Sequence, residues 1–189
     1  RRHVAQLLRH MRSHLSEACI RLLGWMLSKL WRRLFARVTV DVEGLEAVRA
    51  ALEDPHVPLV LIPSHRTHLD YLMLSYVCFA YELPVPFIAA GQNLNIPLVG
   101  SFLRRAGAFF IRRRGDRPRS LPSSIPADDE PAIYRHVLRT YVLDLLSGRH
   151  TSPRPRRGPP PPRLPPVALE FFVEGGRSRD GKSCPPKTG

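Results

Sequence analysis

Residues 57–70 have the sequence Val-Pro-Leu-Val-Leu-Ile-Pro-Ser-His-Arg-Thr-His-Leu-Asp. The continuous apolar run before Pro63 predicts a short strand buried on both faces, as in parallel sheets. The apolar stretch over residues 69–81 predicts a helix that begins near Thr67, directly after this strand. A strand that is followed at once by a helix is the repeating unit of α/β proteins.

The same alternation extends along the rest of the chain. Further strands are predicted at 38–42, 87–90, 108–111 and 168–173, and further helices at 44–52, 98–106 and 133–146. This order predicts an α/β fold with a mixed or parallel sheet flanked by helices. We expect two parts, an N-terminal helical segment over residues 1–36 and a domain over residues 37–189.

The segment 1–36 has apolar residues at three- and four-residue steps, with basic residues between them. Leu15, Leu22, Trp25 and Leu30 belong to this apolar series, which predicts an amphipathic helix. Two interpretations stay open. The helix either packs against the domain in the ordinary way or rests as a basic amphipathic surface on anionic lipid.

Two segments interrupt the alternation, and they contain most of the chain's 20 prolines. Residues 114–131 and 149–166 are rich in Pro and Arg, so we expect loops on both sides of the 133–146 helix. The chain has 29 Lys and Arg against 16 Asp and Glu, a net charge of +13 that favours an anionic partner. Because many of the arginines lie in these loops, and no helix-turn-helix or aromatic platform is evident, we expect no nucleic-acid partner.

The cysteines and the hydropathy pattern exclude several classes of protein. The three cysteines, Cys19, Cys78 and Cys184, are far apart, which argues against a disulfide framework or a zinc site. No apolar run reaches the roughly 18–20 residues of a membrane-spanning helix. The sequence begins without Met and ends on Lys187-Thr188-Gly189, so we expect a fragment of a longer protein.

His65 and Asp70 are the first candidates for catalysis. On a continuous helix, five residues turn through about 500°, so these side chains would point apart. They meet only if His65 lies in the loop and Asp70 in the first helical turn, where it would orient His65 as a general base. The alternative is that Thr67 and Asp70 form a capping box with no catalytic role. Ser64 lacks the Gly-x-Ser-x-Gly context of a nucleophile.

Two later strands also end in polar groups. Residues 107–113 are an apolar strand ending in Arg112 and Arg113, which are suited to bidentate phosphate binding. Residues 171–179 continue an apolar strand into Glu-Gly-Gly-Arg-Ser-Arg, where adjacent glycines let backbone N–H groups approach an anion. The alternative for each is an ordinary solvated turn. Taken together, the three strand ends predict a base beside a phosphate site.

These three blocks resemble the ordered motifs of the glycerolipid acyltransferases, in the branch that acts on glycerol 3-phosphate and dihydroxyacetone phosphate. His65-x4-Asp70 is similar to the family's His-x4-Asp motif, residues 107–113 to its second motif, and residues 172–179 to its third. Residues 88–97 also resemble the mitochondrial and bacterial glycerol-3-phosphate enzymes. The resemblance covers about residues 38–113, 133–147 and 167–189.

The resemblance implies transfer of an acyl group from acyl-CoA or acyl-ACP to the sn-1 hydroxyl of glycerol 3-phosphate. His65 would be the general base and Asp70 its partner. The implied glycerol 3-phosphate site consists of Arg112, Arg113, Glu174, Gly175, Arg177 and Ser178. The resemblance implies no metal, no cofactor and no covalent acyl-enzyme: acyl-CoA is a co-substrate, and the attacking group is the acceptor's own hydroxyl.

The resemblance also implies a membrane-associated, cytosol-facing enzyme, at the mitochondrial outer membrane or, alternatively, a peroxisomal or bacterial inner membrane. Two other functions stay open at this point. One is a dihydroxyacetone-phosphate acyltransferase of ether-lipid synthesis, and the other is a non-catalytic protein of the membrane surface. The family's core continues beyond the third motif, so we expect the acyl pocket to be incomplete in a chain that ends at Gly189.

Overall fold

The computed structural model describes residues 2–54, 57–112, 130–147, 167–176, 180 and 182–186. The helices are α1 (Arg2–Met11), α2 (Glu17–Leu34), α3 (Val42–Ala51), α4 (Asp70–Ala80), α5 (Val99–Arg105) and α6 (Glu130–Leu146), with a 3-10 turn at Gln92–Leu94. The strands are β1 (Leu59–Leu61), β2 (Phe87–Gly91), β3 (Ala108–Ile111) and β4 (Ala168–Glu170).

Among the described residues, the four strands form one parallel sheet in the order β1-β4-β2-β3. The last residue of β4, Glu170, is in register with Leu61 of β1 and Ile88 of β2. The predicted α/β fold is therefore confirmed. Because all strands run in one direction, their carboxyl ends meet at one edge, where α/β proteins bind ligands.

One face of the sheet packs against α1 and α6 through an apolar core. Phe109 of β3, Leu169 of β4 and Leu145 of α6 are almost completely buried there. Met11 of α1 and Tyr141 of α6 belong to the same cluster. This face stabilises the fold through burial of apolar area, the largest favourable contribution to folding.

The other face of the sheet is turned towards α4, whose buried Cys78 interacts with Glu170 of β4, and α2 packs on α4 in turn. Gly24 of α2 is buried against Phe79 of α4, and a Cβ atom at residue 24 would overlap the Phe79 ring. Leu27 and Trp31 of α2 are buried on the same side of the helix. None of the described helices combines the length and apolar character needed to cross a membrane.

The N-terminal segment is helical, but it is not one helix. The chain leaves the helical conformation between Met11 and Glu17 because its backbone is held by α5. The Ser13 Oγ and His14 N–H both donate to the Arg104 carbonyl, at 2.9 and 3.0 Å. The Arg104 guanidinium donates to the carbonyls of Arg12 and His10, at 2.7 and 2.6 Å. Apolar periodicity alone did not reveal these tertiary contacts.

Three strand predictions differ from the structure, one in existence, one in environment and one in length. Residues 38–41 form no strand, and Asp41 instead caps α3 by accepting from the Gly44 N–H at 3.2 Å. Strand β1 lies at an edge of the described sheet, paired only with β4, so Val60 is 44% exposed rather than buried on both faces. The predicted strand 168–173 ends at Glu170.

The predicted loops fall mostly on residues 113–129 and 148–166, which lie outside the described residues. Helix α6 nevertheless begins earlier than predicted, at Glu130. Pro131 fits there because the first turn of a helix does not need its N–H groups.

Candidate active site

His65 lies four residues beyond the end of β1, in the turn that leads to α4. Its Nδ1 is 3.2 Å from Oδ2 of Asp70, which is the first residue of α4. The two side chains are 13% and 21% exposed, so both reach solvent while being partly enclosed. His65 therefore lies in the loop and Asp70 in the first helical turn. This is the arrangement in which two residues five apart were predicted to meet.

Asp70 accepts several hydrogen bonds besides that of His65. The Arg66 and Thr67 N–H groups donate to Oδ2 at 2.6 and 2.7 Å, and the Thr67 hydroxyl donates to Oδ1 at 2.8 Å. Partial burial alone would raise the pKa of Asp70, but bonds from Thr67, His65 and Arg66 outweigh it and lower the pKa. Because an ionised carboxylate can only accept, His65 carries its proton on Nδ1, which leaves Nε2 as the basic nitrogen.

The hydrogen bonds of Asp70 resemble part of a capping box, while its catalytic role stays a prediction. The Thr67 N–H and hydroxyl both donate to the Asp70 carboxylate, and the Thr67 Oγ1 accepts from the Leu69 N–H at 3.0 Å. These bonds lie in the turn before α4, since the helix begins at Asp70 and not near Thr67. The turn therefore fixes the carboxylate, and the fixed carboxylate holds the imidazole.

Glu174 connects the third sequence block to His65. Its Oε1 accepts from the His65 backbone N–H at 3.0 Å, and its Oε2 accepts from the Cys184 N–H at 2.8 Å. These two backbone bonds lower the pKa of Glu174, so the buried carboxyl is ionised. An anionic group is a poor direct ligand for a phosphate, and the contacts favour a role in holding the His65 backbone. The predicted role of Glu174 in substrate binding stays a prediction.

A cavity of about 500 Å³ opens beside His65 at the carboxyl edge of the sheet. The Phe172 ring packs on the imidazole with 4.2 Å between ring centres. Most of the lining is apolar or small, and it comes from Ile88, Ala89, Ala90, Leu94, Leu103, Ala108, Ile111, Phe171 and Phe172. His65, His68 and Tyr71 supply polar groups at the side of α4. A mainly apolar cavity with a few polar groups is typical of small-ligand sites.

Gly175 and Gly176 lie at the wall of this cavity. Gly175 has a φ of 63°, a left-handed conformation that favours glycine, and its N–H donates to the Phe172 carbonyl at 3.0 Å. The turn thus brings the third block to the cavity that His65 lines.

Of the predicted Arg and Ser ligands of the phosphate, only Arg112 is among the described residues. The Arg112 guanidinium lies over the Tyr134 ring, with 4.9 Å from Cζ to the ring centre, and the Arg112 N–H donates to the Tyr134 hydroxyl at 2.8 Å. Arg112 is not part of the cavity wall. Arg113, Arg177 and Ser178 lie outside the described residues, so the phosphate site stays a prediction.

Sequence reasoning missed three contributors to this region. Cys184 gave no signal, because it contributes only its backbone N–H. Phe172 was noted as part of a motif, but its contact with His65 depends on where β4 ends. Glu170 had a visible signal, since a carboxyl group inside the apolar segment 167–173 is unusual.

The described residues contain no group of three or more His, Cys, Asp or Glu side chains arranged to hold a metal ion. The polar side chains of the cavity wall are His65, His68, Tyr71 and Asn93, and Asp70 lies behind His65.

The amino-acid sequence is similar to those of known acyltransferases. Residues 39–189 match the family model described as Acyltransferase. The chain is 36% identical over 180 residues to "Glycerol-3-phosphate acyltransferase 1, mitochondrial" of Sus scrofa and of Homo sapiens, which covers 95% of the chain and 19% of each relative. It is also 36% identical over 192 aligned residues to "Dihydroxyacetone phosphate acyltransferase" of Homo sapiens, covering 100% of the chain and 23% of that protein. The chain thus spans about a fifth of the length of these relatives.

Proposed function

Because the chain belongs to the acyltransferase family, we propose that it is the catalytic region of a glycerol-3-phosphate 1-O-acyltransferase. The observation that supports this most directly is the His65–Asp70 pair, 3.2 Å apart, beside an apolar cavity. The pair is suited to remove a proton from an alcohol. The cavity is suited to the apolar part of an acyl donor.

In the proposed reaction, His65 Nε2 takes the proton of the sn-1 hydroxyl as the hydroxyl oxygen attacks the thioester carbonyl carbon. The new C–O bond forms and the C–S bond of the donor then breaks. The imidazolium returns its proton to the leaving thiolate, which departs as the free thiol. Asp70 accepts the hydrogen bond from the His65 Nδ1–H throughout and stabilises the imidazolium.

The acceptor's phosphate is proposed to bind at Arg112, Arg113, Arg177 and Ser178, beside the Gly175–Gly176 turn. The position of this turn on the cavity wall supports the proposal. Arginine would bind the phosphate through paired N–H donors, which fixes the orientation of the acceptor.

The experiment uses the full-length protein that contains this chain, supplied with acyl-CoA and glycerol 3-phosphate. We expect His65→Ala to lower kcat by about 10²–10⁴-fold, the usual contribution of a general base. His136→Ala is the matched control, because His136 is an exposed histidine on α6. Unchanged transfer in His65→Ala would contradict the proposal and would favour a non-catalytic protein of the membrane surface.

Dihydroxyacetone phosphate is the second candidate acceptor, because the relative named for it is as similar to this chain as the relatives named for glycerol 3-phosphate. Both acceptors present a hydroxyl and a phosphate, so the same pair serves either. Parallel measurements of kcat/KM with the two acceptors decide between them. A clear preference for dihydroxyacetone phosphate would replace the proposed acceptor.

We further propose that the protein is membrane-associated and faces the cytosol, at the mitochondrial outer membrane, with α2 against anionic lipid. The outer side of α2 exposes apolar side chains together with cations: Trp25 is 60% exposed, and Leu22 and Met26 are exposed beside Lys29 and Arg33. Aromatic and basic residues on one helix face are typical of interfacial binding.

Flotation with vesicles tests this proposal in the full-length protein. Changing Trp25 and Met26 together to Ala should weaken binding to anionic vesicles, and added salt should weaken it further. Leu143→Ala is the control, since Leu143 is an exposed apolar residue on α6. Equal binding by both variants would contradict a role for α2.

A further inference from the structure

The side chain of Glu174 joins two segments that are far apart in sequence. Its Oε1 accepts from the His65 backbone N–H at 3.0 Å, and its Oε2 accepts from the Cys184 backbone N–H at 2.8 Å. Only 5% of Glu174 is exposed. Both carboxylate oxygens are therefore directed at backbone donors, and hydrogen bonds to an ionised acceptor are stronger than those between neutral groups.

A tight turn in the third block presents Glu174 to His65. The Gly175 N–H donates to the Phe172 carbonyl at 3.0 Å, which closes a four-residue turn. The first residue of this turn, Phe172, packs its ring on the imidazole, and the third, Glu174, binds the His65 N–H. The fourth, Gly175, lies at the cavity wall together with Gly176. One turn thus contacts the base from two directions and continues into the proposed phosphate site.

Glu174 fixes a feature of His65 that Asp70 cannot fix. The bonds of Asp70 to His65, Arg66 and Thr67 are internal to one turn, so they set the orientation of the imidazole within that turn. The bond from Glu174 joins the turn to another segment and so sets where His65 lies relative to the cavity. Such placement matters for a general base, because a displacement of about 1 Å can lower the rate about 10²-fold.

Residues 182–184 complete the arrangement. Cys184 gives its N–H to Glu174, and the Ser183 Oγ lies 3.5 Å from a guanidinium nitrogen of Arg66, the residue after His65. A carboxylate that is bonded through both oxygens has little freedom to rotate. The Cys184 N–H therefore fixes the carboxylate that in turn fixes His65.

We propose that Glu174 is a positioning residue that joins the His65 turn, the Gly175–Gly176 turn and residues 182–184 into one unit, and that it acts on the transfer step and not on acceptor binding. This inference rests on the proposed function and adds a residue to its mechanism. Both oxygens of Glu174 are already bonded to backbone N–H groups, and an anionic side chain repels a phosphate. The two glycines line the cavity, whereas Glu174 is not part of its wall.

The first test separates positioning from acceptor binding in the full-length protein. Glu174→Gln keeps the shape, but its amide nitrogen would face one of the two N–H donors. We expect kcat per folded molecule to fall by about 10–10²-fold, while KM for glycerol 3-phosphate stays within about twofold. Glu46→Gln is the matched control, since Glu46 is an exposed glutamate on α3. Retained kcat with a raised KM would identify an acceptor ligand and would overturn the proposal, as would unchanged kinetics.

A double variant tests the bridge itself. Cys184→Pro removes the N–H that Glu174 binds, whereas Cys184→Ser retains it and is the control. Cys184→Pro alone should lower kcat, and Cys184→Ser should not. In Glu174→Gln the same proline removes a donor that the amide nitrogen would oppose, so the double variant should be more active than the product of the two single effects predicts. Multiplicative effects would show that the two residues act separately and would overturn the proposal.

Hydrogen–deuterium exchange tests the geometry without activity. The amides of His65 and Cys184 should exchange slowly in the wild-type protein, and exchange at this pair should be faster in Glu174→Gln, because both bonds end on one carboxylate. Peptides that cover β2, an internal strand of the described sheet, should keep their exchange rates. Faster exchange in β2 as well would indicate a general structural role. That result, or an unaltered rate at His65, would overturn the proposal.

These results separate the two proposals. Active wild-type protein with unchanged kcat in Glu174→Gln means that the positioning role fails and the acyltransferase proposal stands. Wild-type protein without acyl transfer, but with the local exchange difference at His65 and Cys184, means that the proposed function fails while the bridge through Glu174 is supported.

Discussion

The face of the sheet under α1 and α6 buries only apolar groups near its centre, whereas the face under α4 buries the Glu170 carboxyl and leads to His65. On the first face, Phe109, Leu145 and Leu169 fill the core almost without exposure. On the second, Glu170 is equally buried but has no hydrogen-bond partner among the described residues. The sheet thus has one face whose buried apolar groups stabilise the fold and one face where a buried carboxyl group costs stability.

This difference is a consequence of strand alternation. Adjacent residues of β4 point to opposite faces, so Leu169 and Glu170 serve different environments although they are neighbours in sequence. A substitution on the α1 and α6 face should therefore change stability first, and one near the His65 turn should change chemistry first.

The largest effect is expected at Asp70. Asp70→Asn replaces an acceptor of bonds from His65, Arg66 and Thr67 with an amide that can accept through only one atom. The imidazole would lose its fixed orientation, and we expect kcat to fall by about 10²–10⁴-fold, the range for an impaired general base. Acyl transfer by the full-length protein measures this effect.

Asp41→Asn is the matched control for that change, because Asp41 also accepts from a backbone N–H but lies at the start of α3. Asp41→Asn should leave kcat unaltered.

The Asp70 substitution should also alter acid stability. The pKa of Asp70 is lowered from 3.8 in the fold, so its stabilising effect is present above pH 3.8 and is lost as the pH falls through the lower value. Equal activity in the two Asn variants would contradict the proposed role of Asp70 at His65.

Most of the fold was predictable because local pattern and tertiary environment agree. The apolar segments at 87–90 and 108–111 become β2 and β3, and the alternation with helices gives the parallel sheet. The errors arise where distant partners decide. Residues 12–16 leave the helix because α5 binds their backbone, and β1 is partly exposed because it lies at the edge of the described sheet.

The candidate site was predictable to the extent that it follows strand ends. The His65–Asp70 contact follows from a strand, a turn and a helix in sequence. The contact of Glu174 with the His65 N–H does not, because it depends on how β4 lies beside β1. The stacking of Arg112 on Tyr134 depends likewise on the position of α6. Residue types thus predicted which side chains come together at the candidate site, while the contacts between segments required the structure.

A smaller effect, on stability alone, is expected from Leu145→Ala on the apolar face. Leu145 is completely buried between α6 and the sheet, so its truncation leaves a cavity and should lower the free energy of unfolding by about 2–5 kcal/mol. Leu143→Ala on the same helix should change little, since Leu143 is 56% exposed. Denaturant unfolding measures both variants. A loss of kcat per folded molecule in Leu145→Ala, with unchanged stability, would mean that the two faces are not separate.

The smallest effect is expected at the α2–α4 contact, which lies on the functional side but away from the chemistry. Gly24→Ala places a methyl group against the Phe79 ring, and overpacking of this kind costs about 1–3 kcal/mol. Phe79 is near the end of α4 opposite Asp70, so the His65–Asp70 pair should keep its geometry and kcat should be retained.

Adding Phe79→Leu to Gly24→Ala tests the cause, because the smaller side chain makes room for the methyl group. The double variant should then be more stable than the sum of the two single changes predicts. Strict additivity would show that the two residues are not in contact, and a fall in kcat would show that packing beneath α2 reaches the His65 turn through α4.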